Sequence, residues 1–240
     1  MVPDRMLLLL AGASAATVSE AFPPPEGAER VEAGPWADYL QALELAPADQ
    51  PVRTYDGRRV GHKARVVELP MVPGDLQQCA DAIIRLRAEY LLQADLAVSF
   101  QSTSGDPMPW ARYRDGETPY LVGDEVRWEA GGSGSWEDYL VKVFNWAGTV
   151  SLQERETELV RGSPQPGDLL VQGGFPGHAV VLLDVAVEGE RSWVLVGESF
   201  MPAQDFHVEL GPEGGWWLWE EGVDLPSWAP FTPEDLRRWR

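Results

Sequence analysis

Residues 73–93, PGDLQQCADAIIRLRAEYLLQ, contain the clearest helix pattern in this sequence and the chain's single cysteine. Asp75 is a good N-cap and Gln78 completes a capping-box pattern, so we expect the helix to begin at Leu76. Apolar residues at three- and four-residue spacing, Cys79 among them, predict one buried stripe. Alternating charges are expected on the opposite face, at Asp81, Arg85 and Glu89. The pattern places the thiol inside the protein, near a helix N-terminus.

A thiol at this position has two interpretations. The helix dipole and the unpaired amides of the first turn stabilise a thiolate, the reactive form of a cysteine nucleophile. A buried cysteine with no basic neighbour is instead an inert small hydrophobic residue, because burial raises its pKa. The helix by itself favours the second interpretation.

The composition indicates a globular protein that does not bind nucleic acid. The 240 residues are 44% hydrophobic, enough for one substantial core and for one or at most two domains. The 38 acidic residues outnumber the 19 basic ones and give a formal charge of −19, which repels phosphate backbones. Nucleic acid is therefore not an expected partner.

The N-terminus has the pattern of a secretory signal peptide. Arg5 precedes an apolar run, and Ala13-Ser14-Ala15 has the A-x-A form of a cleavage site. The run is shorter than the roughly 20 residues that span a bilayer, although an uncleaved membrane anchor is the alternative. We therefore expect export to the periplasm or the cell exterior. The predicted organisation is a signal peptide at 1–15, a proline-rich linker at 16–28 and a single α+β domain at 29–240.

Three strands are predicted in the second half of the chain. Residues 168–172 and 178–187 flank a glycine- and proline-rich turn, and the second of these strands is almost continuously apolar, as a central strand is. A third strand, residues 193–200, follows a tight turn. In an antiparallel hairpin Val180 pairs with about Glu198, so Glu198 and His178 share one face. The predicted fold class is α+β, an antiparallel sheet packed on a central helix that the cysteine opens.

Cys79, His178 and Glu198 together supply the parts of a nucleophile–base–acid site. Oxidising compartments normally pair cysteines, so a lone cysteine in an exported protein is either buried or kept for its reactivity. The order of the three residues resembles papain-like enzymes, in which the nucleophile opens a buried helix and the base lies on a later strand. Pro166-Gly167-Asp168 and Gly177-His178 are similar to motifs of the NlpC-type cell-wall peptidases. That resemblance implies a cysteine peptidase or amidase acting on peptidoglycan peptides.

Each member of this site also has a structural interpretation. A histidine after a Pro-Gly turn is more often a structural residue than a base, and Glu198 also fits an exposed strand end. Substrate contacts are predicted beside the cysteine, after the third strand and in an aromatic-rich irregular stretch at residues 107–128, at Gln77, Gln204, His207 and Trp110. His207 is also an alternative third member of the site.

No metal or other cofactor is expected. The chain has three histidines, no HExxH motif and no cysteine pair, and its carboxylates lack calcium-loop spacing. Trp216, Trp217 and Trp219 suit stacking on a sugar ring, which makes carbohydrate binding a weaker alternative, because alternating tryptophans also pack at sheet edges.

Four separated motifs resemble a bacterial family of exported proteins, the domain of unknown function 4846 (DUF4846). They are residues 76–82 with 85–91, residues 143–149, residues 173–179, and residues 199–204 with His207. The resemblance extends over nearly all of the mature chain and brings no established activity. It also implies that the position of Glu198 is more usually glutamine. Either side chain can orient a histidine, so the third member of the site stays open.

The leading hypothesis is an exported thiol-dependent hydrolase or acyl-transferase that acts on amide bonds, with envelope peptide or a peptidoglycan fragment as the candidate substrate. Cys79 attacks, His178 transfers the proton and Glu198 holds the imidazole ring. The alternative is a non-catalytic binding or structural protein of the cell envelope with the same architecture.

Overall fold

A computed structural model describes residues 15–61 and 63–240. The helices of these residues are α1 Val18–Ala21, α2 Pro35–Gln41, α3 Cys79–Gln93, α4 Trp110–Arg114, α5 Trp136–Trp146 and α6 Thr149–Ser151. The strands are β1 Glu29–Arg30, β2 Ala64–Val66, β3 Ser99–Gln101, β4 Pro107–Pro109, β5 Glu117–Val122, β6 Glu125–Ala130, β7 Thr157–Leu159, β8 Leu169–Gln172, β9 His178–Glu188, β10 Arg191–Glu198, β11 His207–Glu209, β12 Trp217–Trp219 and β13 Leu236–Trp239. A π-helical turn, Leu152–Glu156, follows α6, and a 3-10 turn, Pro233–Asp235, precedes β13.

Most of the strands form one large antiparallel sheet. Its main path runs β2-β11-β10-β9-β8-β13-β7, while β1 pairs with the last part of β9 and β12 with the first half of β10. The β9–β10 hairpin lies at the centre, and Gly197 is opposite Val181. This register puts Glu198 opposite Val180, in agreement with the predicted pairing. Two separate hairpins, β3–β4 and β5–β6, complete the strands.

The two faces of the sheet are covered by different layers. Because successive side chains alternate, Ala179 and Val181 point to the first face, on which α3 packs. Val180 and Leu182 point to the second face, where the C-terminal segment completes a cluster with Val223, Leu225, Phe231 and Leu236. His178 is two residues from Val180 and therefore lies on the second face.

Helix α3 begins three residues later than predicted, at Cys79. Gln78 is the N-cap, and its N–H donates to the Asp81 carboxylate over 3.1 Å. Asp75, the predicted cap, instead accepts hydrogen bonds from the Gln78 side chain and from a distant backbone N–H. The predicted charged face was also wrong, since Asp81 and Arg85 are only 7% and 5% exposed. Cys79 is consequently the first residue of a helix whose N-terminal half is buried nearly all round.

The residues expected to form a linker, 16–28, pack into the folded body instead. They contain α1, and Val18 and Phe22 are buried in the main core. The proline-rich part is held in place because the indole N–H of Trp216 donates to the carbonyl of Pro23. The predicted signal peptide, residues 1–15, lies outside the described residues except for its last position. Among the residues that are described, no helix is long and apolar enough to cross a membrane.

Glu156, at the end of the π-helical turn, makes the stability of the fold depend on pH. Its carboxylate accepts the N–H of Gln101, but burial raises the pKa of the acid from 4.5 to about 7. The protonated acid contributes its full stabilisation below the unfolded-state pKa of 4.5. This contribution is lost as the pH rises through the folded-state pKa of about 7. Glu156→Gln is therefore expected to raise the free energy of unfolding by roughly 1–2 kcal/mol above pH 8 and to change it little at pH 4.

Chemical unfolding of the wild type and the variant at both pH values measures this difference. Glu154→Gln is the matched control, because Glu154 is in the same turn and exposed, and it should be close to neutral at either pH. A Glu156→Gln protein no more stable than the wild type above pH 8 would contradict the prediction.

Candidate active site

The structure brings His178 and Glu198 together on the second face of the sheet. Nε2 of His178 lies 2.8 Å from Oε2 of Glu198, and both side chains are fully buried. Ser227 Oγ donates to the same carboxylate oxygen over 3.0 Å. The imidazole ring packs against Phe200 and Trp228, with centroids 5.1 Å away in each case. The carboxylate and the aromatic rings therefore fix the orientation of the imidazole.

A buried polar row continues from Glu198 into β11. His207 is the cross-strand partner of Glu198, and its Nε2 lies 3.7 Å from Oε1 of Glu198 and 3.6 Å from Oε2 of Glu209. Burial would raise the pKa of Glu198, but the interactions with His178 and His207 outweigh it and lower that pKa to about 2. Burial would lower the pKa of His207, but the two carboxylates outweigh it and raise that pKa to about 9. The row is thus a set of mutually dependent buried charges.

Cys79 opens α3 with its side chain almost buried, at 4% exposure. Burial raises the pKa of the thiol to about 11, opposed by the N–H groups of Ala179 and Ala80 and reinforced by the carboxylates of Asp81 and Glu198. The thiol is therefore neutral at pH 7. Reaction at neutral pH requires a base that removes its proton.

The thiol contacts the backbone beside His178 and makes no hydrogen bond to the imidazole. Sγ of Cys79 lies 4.0 Å from the carbonyl oxygen of Gly177 and next to the N–H of Ala179, which are the peptide groups that flank His178. Nδ1 of His178 is buried and has no hydrogen-bond partner among the described residues. The ring lies on the second face of the sheet, whereas α3 covers the first. The backbone around His178 thus lies between the thiol of Cys79 and the imidazole.

A cavity of about 250 Å³ adjoins Cys79. The first turn of α3, the segment around α6 and the turn before β9 line it, with Cys79, Asn145, Thr149, Phe175, Gly177 and Met201 among the lining residues. A second depression of about 430 Å³ shares Asn145 and Phe175 with this cavity and adds the hydroxyl groups of residues 102–104. Phe175 is 87% exposed. A surface depression lined by hydroxyl, amide and aromatic side chains therefore adjoins the cavity that holds the thiol, and neither His178 nor Glu198 lines either space.

Gln77 and Gln204, predicted to contact substrate, are structural residues in this fold. The Gln77 side chain is fully buried, accepts from Arg85 over 3.0 Å and donates to the carbonyl of Pro70 over 3.2 Å. These bonds fix the loop that leads into α3. Gln204 is 4% exposed, and its backbone carbonyl accepts from Ser199 Oγ over 2.8 Å. Neither glutamine lines the Cys79 cavity.

The aromatic residues predicted to contact ligands are also packing residues. Residues 107–128 contain β4, α4, β5 and most of β6 rather than an irregular groove wall, since a tight turn at Gly123 (φ +62°) closes the β5–β6 hairpin. Trp110 packs edge-to-face on Trp136, with ring centroids 5.1 Å apart. Trp216, a candidate for sugar stacking, is fully buried. His207 is fully buried as well, so it does not contact a substrate at the surface.

Sequence reasoning did not single out three residues that complete the polar row. Ser227 and Trp228 lie in the C-terminal segment, and only its return across the second face brings them to Glu198 and His178. Glu209 had a local signal, because it follows His207 by two residues on the same strand and therefore shares its face.

Gly177, between the cavity and His178, has no room for a side chain. A Cβ atom there would lie 2.4 Å from Oγ1 of Thr149, 2.6 Å from the backbone N of Gly174 and 2.7 Å from the carbonyl oxygen of Gln172. Two of these neighbours are backbone atoms, so Gly177→Ala is expected to lower the free energy of unfolding by about 2–3 kcal/mol.

Thermal and chemical unfolding of the full chain measure the effect of Gly177→Ala. Gly148→Ala is the matched control, because Gly148 lines the same cavity and adopts an extended φ of 178°. A Cβ atom at Gly148 would meet nothing within 4 Å. Equal stability of the two variants would show that the turn accommodates the methyl group.

These observations define a mixed α/β protein with a large antiparallel sheet, a few helices and a buried histidine–carboxylate row beside a lone cysteine. Residues 18–238 match the family described as domain of unknown function (4846), and the chain belongs to that family. The match covers nearly the whole chain, as the sequence motifs predicted. No match was found among curated proteins or among solved structures.

Proposed function

We propose that the protein is an exported thiol-dependent hydrolase or acyl-transferase that acts on amide bonds, with a papain-like arrangement centred on α3. The observation that carries the proposal is the state of the His178 imidazole. Glu198 holds its Nε2 at 2.8 Å, and its Nδ1 has no hydrogen-bond partner among the described residues. The peptide groups on either side of His178 contact the Cys79 thiol. A base oriented by a carboxylate, with its second nitrogen free, is suited to activating a nearby nucleophile.

The reaction requires Nδ1 of His178 to come within hydrogen-bonding reach of Sγ of Cys79. Because the imidazole lies on the second face of the sheet and α3 on the first, this approach requires a rearrangement of His178 at the start of β9, which is larger than the tightening of catalytic hydrogen bonds that substrate binding often brings. Sγ then bonds to the amide carbonyl carbon, and the thiol proton passes to Nδ1. The C–N bond breaks as His178 returns that proton to the leaving amine. Water, or an amine acceptor in a transferase, opens the thioester and restores the thiol.

The position of Cys79 supports the remaining requirements of this chemistry. The backbone N–H groups in the first turn of a helix have no intrahelical partners, so the N–H of Cys79 is a donor for the oxyanion, while the N–H of Ala80 also interacts with Sγ. Because burial raises the pKa of the thiol to about 11, His178 acts as a general base during the attack, and no preformed thiolate is needed.

The candidate substrate is an envelope peptide, such as a peptidoglycan stem peptide. The hydroxyl groups of residues 102–104 and the amide of Asn145 line the depression that adjoins the Cys79 cavity, and these groups suit a polar peptide. The formal charge of −19 repels strongly anionic substrates at long range.

Amide hydrolysis by the purified full chain tests the proposal. Stem peptides are incubated with the wild type and with Cys79→Ala, and the release of new amino groups is followed. We expect release by the wild type and a loss of at least 100-fold in the variant, because the nucleophile is absent. Equal release by both proteins, or none by either across peptide and amide substrates, would count against the hydrolase.

The second candidate function is a non-catalytic binding protein of the cell envelope. The specific observation that favours it is the thiol itself, which is 4% exposed and has a raised pKa of about 11. Such a protein would bind stem peptide equally well as the wild type and as Cys79→Ala, without releasing amino groups from it. Calorimetric titration of both proteins with the peptide distinguishes binding from turnover.

A further inference from the structure

A cluster of three potential metal ligands lies at the end of the buried polar row, away from the cysteine. Glu198 and His207 are cross-strand partners on β10 and β11, and Glu209 follows His207 on the same face. One potential ligand atom from each residue lies within 4.8 Å of those of the other two. All three side chains are buried, with at most 3% of each residue exposed.

The distances within this cluster exceed the normal length of a hydrogen bond. Nε2 of His207 is 3.7 Å from Oε1 of Glu198 and 3.6 Å from Oε2 of Glu209, which leaves a gap between the three atoms. Oε1 of Glu198 is buried, faces Nε2 of His207 and has no hydrogen-bond partner among the described residues. A buried carboxylate oxygen without a hydrogen bond is costly, and a cation placed between the three atoms would remove that cost.

Hydrogen bonds around the cluster hold His207 and Glu198 in the way that metal-binding histidines and carboxylates are usually held. Nδ1 of His207 donates to the carbonyl of Asp205 over 2.9 Å, so Nε2 is the ring nitrogen that faces the cluster, and a bound ion would displace the proton on it. Glu198 uses its other oxygen, Oε2, to bind His178 and Ser227, so its carboxylate plane is fixed while Oε1 stays available. Hydrogen bonds of this kind, made by the atoms that do not bind the metal, hold ligating histidines and carboxylates in place.

We propose that Glu198, His207 and Glu209 bind a divalent transition-metal ion, Zn²⁺, within the sheet. One imidazole nitrogen and two carboxylate oxygens suit Zn²⁺, with bonds of about 2.0–2.2 Å that need only a small contraction of the cluster. Mg²⁺ fits less well because it keeps several waters, and Ca²⁺ prefers oxygen ligands alone. The ion joins β10 to β11 and neutralises the buried carboxylates. This inference does not depend on the proposed hydrolase, since metal binding is measured without any substrate.

Metal content and stability of the full chain test the site. The protein is unfolded with a chelator, refolded with and without Zn²⁺, and analysed by elemental mass spectrometry. We expect about one Zn²⁺ per chain and a melting temperature raised by roughly 5–10 °C at a hundredfold excess of Zn²⁺ over its Kd. Glu209→Gln and His207→Gln should lose the bound ion and the shift, whereas Glu213→Gln, an exposed acid after the same strand, should keep both.

A second measurement on the wild type serves if either variant fails to fold. Substitution with Co²⁺ should give visible absorption from nitrogen and oxygen ligands, without the charge-transfer band that a Cys79 thiolate ligand would add. Zn²⁺ content near zero in the refolded wild type would overturn the proposal. An equal Zn²⁺ content in folded Glu209→Gln, or a thiolate band with Co²⁺, would also overturn it by placing the ion elsewhere.

Discussion

Replacing His178 with Gln is expected to slow the reaction of Cys79 with iodoacetamide at pH 7 by about 100-fold, because a general base contributes rate factors of about 10²–10⁴. Burial raises the pKa of the thiol to about 11, so little thiolate exists at pH 7. Without a base, the rate should follow the thiolate and rise tenfold per pH unit up to about 11. In the wild type, proton transfer to His178 should make the rate much less dependent on pH.

The measurement is the rate of alkylation of the native full chain between pH 6 and pH 10, followed by intact mass. Glutamine retains a hydrogen-bond donor for Glu198 but cannot act as a base, so His178→Gln is preferred to a change that empties the site. Trp228→Phe is the control, since it disturbs the packing around the imidazole and leaves the base in place. If the wild type and His178→Gln share one rate and one pH dependence, His178 does not act as a base for Cys79 in the protein without substrate.

Replacing Glu198 with Leu is expected to lower the free energy of unfolding by about 3–5 kcal/mol. The carboxylate holds Nε2 of His178, accepts from Ser227 Oγ and faces Nε2 of His207, and the side chains of Glu198 and both histidines are fully buried. Leucine fills most of the volume but leaves these polar groups buried without their acceptor. The loss of partners therefore outweighs any gain from apolar burial.

Chemical unfolding of the full chain at pH 7 measures this loss. Glu198→Gln keeps a carbonyl oxygen for His178 and Ser227 and removes only the charge, so its loss should be smaller, about 1–2 kcal/mol. Glu213→Leu is the surface control and should stay within about 0.5 kcal/mol of the wild type, because Glu213 is exposed. A Glu198→Leu protein within 1 kcal/mol of the wild type would mean that the polar row contributes little to stability.

Local signals predicted several elements of the fold. Ser135 caps α5 through a local interaction, in which its hydroxyl accepts the N–H of Asp138, and such caps depend only on residues close in sequence. The β9–β10 hairpin was also predictable from its short turn, although a β-bulge between Leu195 and Val196 shifts the register by one residue from the one that the turn sets. The start of α3 was not predictable from local signals, because Asp75 accepts a hydrogen bond from the backbone N–H of Ala203, which is 128 residues away. Long-range partners of this kind override a local capping pattern.

Sequence alone was enough to predict the family, the antiparallel hairpin and the common face of His178 and Glu198, since side-chain alternation along paired strands requires no knowledge of the other layers. Which layer covers each face of the large sheet is decided only by the tertiary structure. Helix α3 packs on the first face, so the thiol of Cys79 meets the backbone beside His178 while the imidazole lies on the second face. The pairing of β11 with β10, which brings His207 and Glu209 to Glu198, was likewise a tertiary outcome, because no short turn sets the register of those strands.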